Sequence, residues 1–203
     1  MNYLDGFFWY DESLIGDSPT FVEIGSRTGQ VAKELIKRHP SSQVIVYEAS
    51  RDNYKHLVKE TSHLPVIAHN EAVIGHDGTV TFHEYENWES NSVLARHKVQ
   101  SHRRLKKQYT VAATSLSTML EVSPSDTIDA LFTNCEGAEL NIAKELLQRG
   151  HVRERIGQLC ISFHGRIFGQ EKVDSMLNRL SEHYRIVRDP REGKYDCVLL
   201  ILK

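Results

Sequence analysis

The residues able to do chemistry sit at a few short turns. The first turn is Glu23-Ile24-Gly25-Ser26-Arg27-Thr28-Gly29, which follows an apolar run and opens onto a helical pattern. Gly25 can take positive φ and bring backbone close to a ligand, and Gly29 lets the helix pack tightly against the strand. The Gly-x-x-x-Gly spacing lacks both the Gly-x-Gly-x-x-Gly of dinucleotide folds and the Lys-Ser/Thr of a P-loop, which disfavours phosphate cradling. Glu23 precedes the turn, where it can accept from a cationic amino-acid group or from loop amides. Glu48 ends the next apolar run, and a carboxylate there can take both hydroxyls of a ribose because it is acceptor-only. Two carboxylates and a bare turn at consecutive strand ends point to a nucleoside cofactor.

Two further residues are candidates for a reaction. Glu136 stands between a strand-like run and a helical one, where it can orient or deprotonate an acceptor or else cap the helix. His164, in Ile161-Ser162-Phe163-His164-Gly165, can take a hydroxyl proton at neutral pH or be bonded within its loop. Glu139, one helical turn beyond Glu136, reads as structural.

An alternating set of elements must position these residues. Strands are expected at 21–24, 44–47 and 66–68, separated by helices at 31–38, with Val31, Leu35 and Ile36 on one face, and 52–61, with Tyr54, Leu57 and Val58 inward. The pattern resumes with a strand at 128–133, a helix at 138–148 ended by Gly150, a strand at 156–163 and a helix near 172–183. Parallel strands need helical crossovers, so this is an α/β fold. It closes with strands at 184–187 and 195–202 across a polar turn around 189–193, an antiparallel hairpin. Between the halves, strands are expected at 78–85 and 109–113. The run 96–107 has six Arg or Lys, two His and no acid, and reads as an exposed segment.

Composition narrows the classes. With 203 residues, 40% apolar and 26% charged, one domain over 1–203 is expected, with an N-terminal segment at 1–18 and a basic insertion at 86–108. A formal charge of −2 supplies no global field for nucleic acid or an anionic membrane. The longest apolar stretch, 197–202, falls far short of the roughly 20 residues of a membrane span. The opening Met1-Asn2-Tyr3-Leu4-Asp5-Gly6 has no basic, apolar leader, so a cytoplasmic location is expected. Cys135, Cys160 and Cys197 are expected to be reduced core thiols, and eleven scattered histidines define no metal site.

Several motifs recur together: Val22-Glu23-Ile24-Gly25 with Gly29, Val46-Tyr47-Glu48, Asn70-Glu71-Ala72-Val73, Gly78-Thr79-Val80-Thr81-Phe82, and Asp129 through Glu136-Gly137-Ala138-Glu139. On these residues the stretch 21–164 resembles the FkbM-type methyltransferases, a class I family that uses S-adenosylmethionine. The resemblance implies a Rossmann-like fold: a mostly parallel seven-stranded sheet, helices on both faces and a C-terminal antiparallel hairpin. It also implies that Glu23, Gly25, Ser26 and Gly29 line the methionine part of the cofactor, Glu48 the ribose, and Asn70 with Ala72 the adenine edge. Ala49 and Asn134 complete that set, with Glu136 and His164 as the catalytic pair. The implied activity is O-methylation of a hydroxyl on a small molecule, sugar or natural product.

The chain departs from the family pattern at three positions. Phe132 stands where the family commonly has lysine, Asn134 where it has aspartate, and Ser162 where it has a glutamate before Phe-His. An amide is neither a base nor a charge. These changes motivate an alternative, an S-adenosylmethionine-binding protein with little catalysis. RNA methylation through the basic run is a third possibility, disfavoured by the near-neutral total charge. The opening Phe7-Phe8-Trp9-Tyr10 is expected to pack on the sheet edge or cover the site, and Trp88 and Asn91 are possible acceptor contacts.

Overall fold

The computed structural model describes residues 3–87, 91–95, 104–189, 191 and 197–203. The first half runs β1 (Thr20–Ile24), α1 (Gln30–Arg38), β2 (Gln43–Tyr47), α2 (Arg51–Thr61), β3 (Val66–His69), β4 (Glu71–Val73), β5 (Gly78–Tyr85) and β6 (Leu105–Thr114). The second runs α3 (Leu116–Val122), β7 (Ile128–Thr133), α4 (Glu139–Gln148), α5 (Gly150–Arg153), β8 (Ile156–Ser162), α6 (Gly165–Phe168), α7 (Gln170–Leu180), β9 (Tyr184–Arg188) and β10 (Cys197–Leu202). Trp88, most of the basic run and most of the 189–193 turn lie outside the described residues.

Seven strands form one sheet in the order β3-β2-β1-β7-β8-β10-β9, with β10 antiparallel between β8 and β9 and the pairs from β3 to β8 all parallel. Each strand reads as an almost unbroken apolar run because both sheet faces are covered. Phe21, Val44 and Val46 belong to the core under α1 and α2, while their neighbours Val22, Ile45 and Tyr47 belong to the core under α3, α4 and α7. Register sets the edge that matters. Ile24 pairs with Tyr47 of β2 and Thr133 of β7, so the next residues along, Gly25, Glu48 and Asn134, stand together at the carboxyl rim. Tyr47 pairs with His69 and Thr133 with Ile161, which brings Asn70 and the His164 loop to the same rim.

Strands β4, β6 and β5 make a second, three-stranded sheet with its own apolar cluster, centred on Ala72, Phe82 and Val111, against Ala49 and Ala138. It is tied to α2 through Glu84, which is buried and accepts from Ser50 Oγ (2.9 Å) and Tyr109 Oη, with Lys107 Nζ at 3.0 Å. Lys107 also meets Asp52 at 3.0 Å, so this member of the basic run is bonded to carboxylates.

The N-terminal segment is a strap over the α1 face. Leu4 and Phe8 bridge one another, and Phe8, Tyr10 and Phe21 close around Phe132 at ring separations of 5.6, 6.0 and 6.4 Å. Arg38 donates to the Tyr3 carbonyl (2.6 Å), and Arg191 lies 3.5 Å over the Tyr3 ring while donating to the Gly6 carbonyl (2.9 Å). Phe132 is therefore a fully buried core residue.

Several elements differ from the sequence expectation. Val58 faces outward, 42% exposed, because Leu57 alone takes the inward position at that turn of α2. Gly150 does not end α4; the backbone turns at Arg149 and Gly150 opens α5. The last helix runs earlier, Gln170–Leu180. Both α3 and β4 were unforeseen, although Leu116, Met119 and Leu120 carry helical spacing behind a Ser115 cap. Cys160 and Cys197, distant in sequence, are free buried thiols 3.4 Å apart across β8 and β10.

Gly29 packs α1 against α2 and not against its strand. Its φ is +78°, and a Cβ there would lie 2.7 Å from Leu57 Cδ1 and 2.8 Å from Thr61 Cγ2. Gly29→Ala is expected to lower stability by about 2 kcal/mol with the fold retained, since the obstructing atoms are side-chain ends that can give way. Urea unfolding checks this; an unchanged midpoint would show that the helix approach does not need glycine.

Candidate active site

At the rim lies a cavity of about 550 Å³, walled by the ends of β1, β2 and β7, the small sheet and the strap. Of the residues singled out from sequence, Glu23, Gly25, Ser26, Glu48, Ala49, Ala72, Asn134 and Glu136 line it. Gly29, Asn70 and His164 do not, and each acts on a neighbour instead. Asn70 Nδ2 donates to the carbonyls of Glu48 (2.7 Å) and Ala49 (3.4 Å), fixing the backbone that carries the Glu48 side chain.

The notch itself is bare main chain. Gly25, at φ +82°, donates its N–H to the Tyr47 carbonyl (2.8 Å), and a Cβ at 25 would fall 2.4 Å from the Asn134 carbonyl oxygen. Glu23 is buried and accepts from Ser26 Oγ (2.7 Å). Burial, with the Glu48 charge adding and the Ser26 hydroxyl opposing, pushes its carboxyl up to about 8. Glu48 accepts from the amides of Arg27 (2.7 Å) and Ser50 (2.8 Å), yet burial outweighs these bonds and raises it to about 7. Asn134 Oδ1 is a buried acceptor with no hydrogen-bond partner among the described residues. The cavity thus holds carboxyl groups ready to ionise toward a cation and one amide oxygen lacking a donor.

Glu136 does not cap α4. Nor does Glu139: α4 has no side-chain cap, and the fully buried Glu139 accepts from the amides of Cys135 (2.9 Å) and Gly137 (2.8 Å) in the loop before the helix. The Glu136 side chain turns to His164, with Oε1 2.8 Å from Nε2, while His164 Nδ1 donates to the Ser162 carbonyl (2.9 Å) beside Glu139 Oε1 at 3.2 Å. Burial alone would lower the imidazole pKa, but the bonds to Glu136 and Glu139 prevail and lift it to about 10. The two carboxylates thus favour the charged form of His164, in which neither ring nitrogen has a lone pair to receive a proton. Both Glu136 (φ +54°) and His164 (φ +49°) hold left-handed backbone, a conformation rare outside glycine. Cys135 also lines the cavity, but burial and the Glu139 charge hold its thiol well above the ordinary range, so it offers no thiolate.

Of the other wall residues, Phe7, Phe8 and Asn91 carry a sequence expectation of covering or touching the site, and Asp5, Phe82 and Val93 carry none. Asp5, Phe7 and Phe8 arrive from the strap, Phe82 from β5, and Asn91 and Val93 from the described part of the insertion. Ser92 Oγ donates to the Glu136 carbonyl, and a Cβ on Gly137 would lie 2.7 Å from Leu94 Cδ1, so this piece is clipped to the Glu136 loop. No local motif announces such contacts; the aromatic run at 7–10 and the position of Asn91 were the available signals.

No family model matches the chain, and no curated protein does. Solved structures do. A fibrillarin pre-rRNA processing protein from Methanococcus jannaschii aligns with 98% of this chain and 72% of its own, at 11% identity and a TM-score of 0.55. An O-methyltransferase from Bacillus cereus, in complex with SAH, aligns with 92% of this chain and 75% of its own, at 10% identity and a TM-score of 0.51. The chain has the class I methyltransferase fold. In the class I methyltransferase fold of this protein, the described cavity lies at the carboxyl rim of a parallel sheet, where open α/β sheets bind ligands.

Proposed function

We propose that the protein is an S-adenosylmethionine-dependent methyltransferase of FkbM type, transferring a methyl group to a hydroxyl on a small molecule, sugar or natural product. The observation that carries the reading is the grouping of Gly25, Glu23, Glu48 and the unpartnered Asn134 oxygen in one cavity at the rim. Gly25 leaves room for the methionine part against backbone. Glu23 and Asn134 Oδ1 face a ligand ammonium, and Glu48 accepts from the ribose hydroxyls. When bound, S-adenosylmethionine supplies a sulfonium-activated methyl, whose C–S electron pair leaves to sulfur as the acceptor oxygen bonds carbon. Glu136 accepts the acceptor's O–H and takes its proton. His164, carrying the proton of the pair, keeps Glu136 as a carboxylate and aims it into the cavity; it is a positioning residue. Because Phe132 belongs to the aromatic core and Asn134 supplies an acceptor, these departures from the family pattern leave the Glu136 chemistry intact, which favours an enzyme over a binding protein.

Titration calorimetry with S-adenosylmethionine and S-adenosylhomocysteine tests the reading. The folded Glu23 holds its proton up to about 8, well above the ordinary 4.5, so it favours the folded ligand-free state fully below 4.5 and ceases to as pH rises through 8. A cationic ligand needs the ionised form. Affinity is therefore expected to rise between pH 6 and pH 8, with proton release visible in buffers of different ionisation enthalpy. Glu23→Gln should flatten that rise and weaken binding about tenfold. Absence of heat with both ligands across this range would overturn the assignment.

A further inference from the structure

The peptide joining Glu136 to Gly137 is gripped at both ends. Glu139 accepts from the Gly137 N–H (2.8 Å), and Ser92 Oγ donates to the Glu136 carbonyl. A peptide unit is planar, so bonds to its N–H and its carbonyl together fix the torsions that flank it, ψ of Glu136 and φ of Gly137. The grip matters because Glu136 stands at φ +54°, left-handed backbone that a residue other than glycine keeps only when its surroundings impose it. Ser92 is itself fully buried and tightly held: it exchanges backbone bonds with His83 (2.8 and 3.0 Å), and its Oγ also accepts from the Leu94 amide (3.0 Å). Leu94 in turn lies against Gly137, where a Cβ would meet its Cδ1 at 2.7 Å.

Ser92 is bridged to β5 and Glu136 follows β7, so this hydroxyl ties two separate parts of the molecule together. Its neighbours Asn91 and Val93 line the cavity with Glu136, and Asn91 Oδ1 accepts from the Tyr85 amide (2.9 Å). The direction of the Glu136 side chain follows from its main chain, and in that direction Oε1 meets His164 Nε2 at 2.8 Å. Without the hydroxyl the Glu136 carbonyl loses a buried donor, and the peptide can turn about the bond to Glu139 that remains. The carboxylate would then swing away from the ring. We infer that Ser92 is a positioning residue for Glu136, aiming its carboxylate at His164 and the cavity through the backbone. The inference rests on the methyltransferase reading for the role of Glu136 and goes past it by assigning the group that holds it in place.

Ser92→Ala in the full chain tests it, by NMR titration of the His164 imidazole and by S-adenosylhomocysteine binding. Glu136 and Glu139 are the charged groups that face this ring among the described residues. A displaced Glu136 should bring the imidazole midpoint down from about 10 by about one pH unit or more, with S-adenosylhomocysteine affinity near wild type. Ser115→Ala is the comparison, since it also deletes a buried hydroxyl, one that accepts from the Thr118 amide (3.1 Å) at the start of α3. It should lower the unfolding temperature and leave the imidazole unmoved. On an acceptor that the wild type methylates, Ser92→Ala should lose about tenfold to a hundredfold in kcat with KM little changed. An unmoved imidazole in folded Ser92→Ala, an equal movement in Ser115→Ala, or a wild-type kcat would overturn the inference. Should Ser92→Ala not fold, Ser92→Cys fills the same space with a weaker donor, and the same titration decides: a lowered midpoint supports the assignment and an unmoved one overturns it. Failure of the wild-type chain to bind S-adenosylhomocysteine would instead overturn the methyltransferase reading, so the two failures are distinct.

Discussion

Gly25→Ala is expected to abolish detectable S-adenosylmethionine binding and to lower stability by at least about 3 kcal/mol. Two costs add. At φ +82° a Cβ crowds its own backbone, and here it would also be driven to 2.4 Å from the Asn134 carbonyl oxygen and 3.0 Å from its carbon. The obstructing atoms are main chain at the end of β7, between the paired strands β1 and β8, so they cannot rotate away. Relief requires the Gly25 turn to separate from Asn134, and both line the cavity. Thermal unfolding and calorimetry read the two effects separately. Gly29→Ala serves as the comparison, since its clash is with side-chain ends outside the cavity: wild-type affinity in Gly25→Ala would show that the notch does not hold the cofactor.

The second large effect is on turnover. Glu136→Gln is expected to lower kcat by about 10²–10⁴ on a responsive acceptor, the usual range for removing a general base, while S-adenosylhomocysteine affinity stays near wild type. The amide retains shape and the hydrogen bond to His164 but cannot take a proton. A second readout needs no acceptor. Loss of one of two carboxylates facing His164 should bring its imidazole titration down from about 10 toward neutrality, as followed by NMR. Full turnover together with an unmoved imidazole would remove Glu136 from the mechanism.

The parallel sheet could be read in the sequence because its strands are buried on both sides and so appear as short, dense apolar runs flanked by helical periodicity. The rim could be read for a related reason: Glu23, Glu48 and Glu136 are acidic residues placed where such runs stop. What escaped depends on contacts between distant segments. The charge on His164 follows from two carboxylates delivered by the loop after β7 and the start of α4. The neighbour of Gly29 is α2, which no local pattern names. Asp5 and Phe7 reach the cavity from a strap fastened by Arg38 and Arg191, the latter 185 positions from the Gly6 carbonyl that it holds.

The nest of rings around Phe132 couples two distant segments. A lysine at this position would place an ammonium among Phe8, Tyr10 and Phe21, where a lone charge is strongly disfavoured. Conversely, a strap without aromatic residues would leave Phe132 facing a void. Phe132 and the strap's rings therefore depend on one another: Phe132→Lys, or the loss of the rings at Phe8 and Tyr10, is expected to lower the unfolding temperature sharply, and changing both together to cost less than the sum of the two alone.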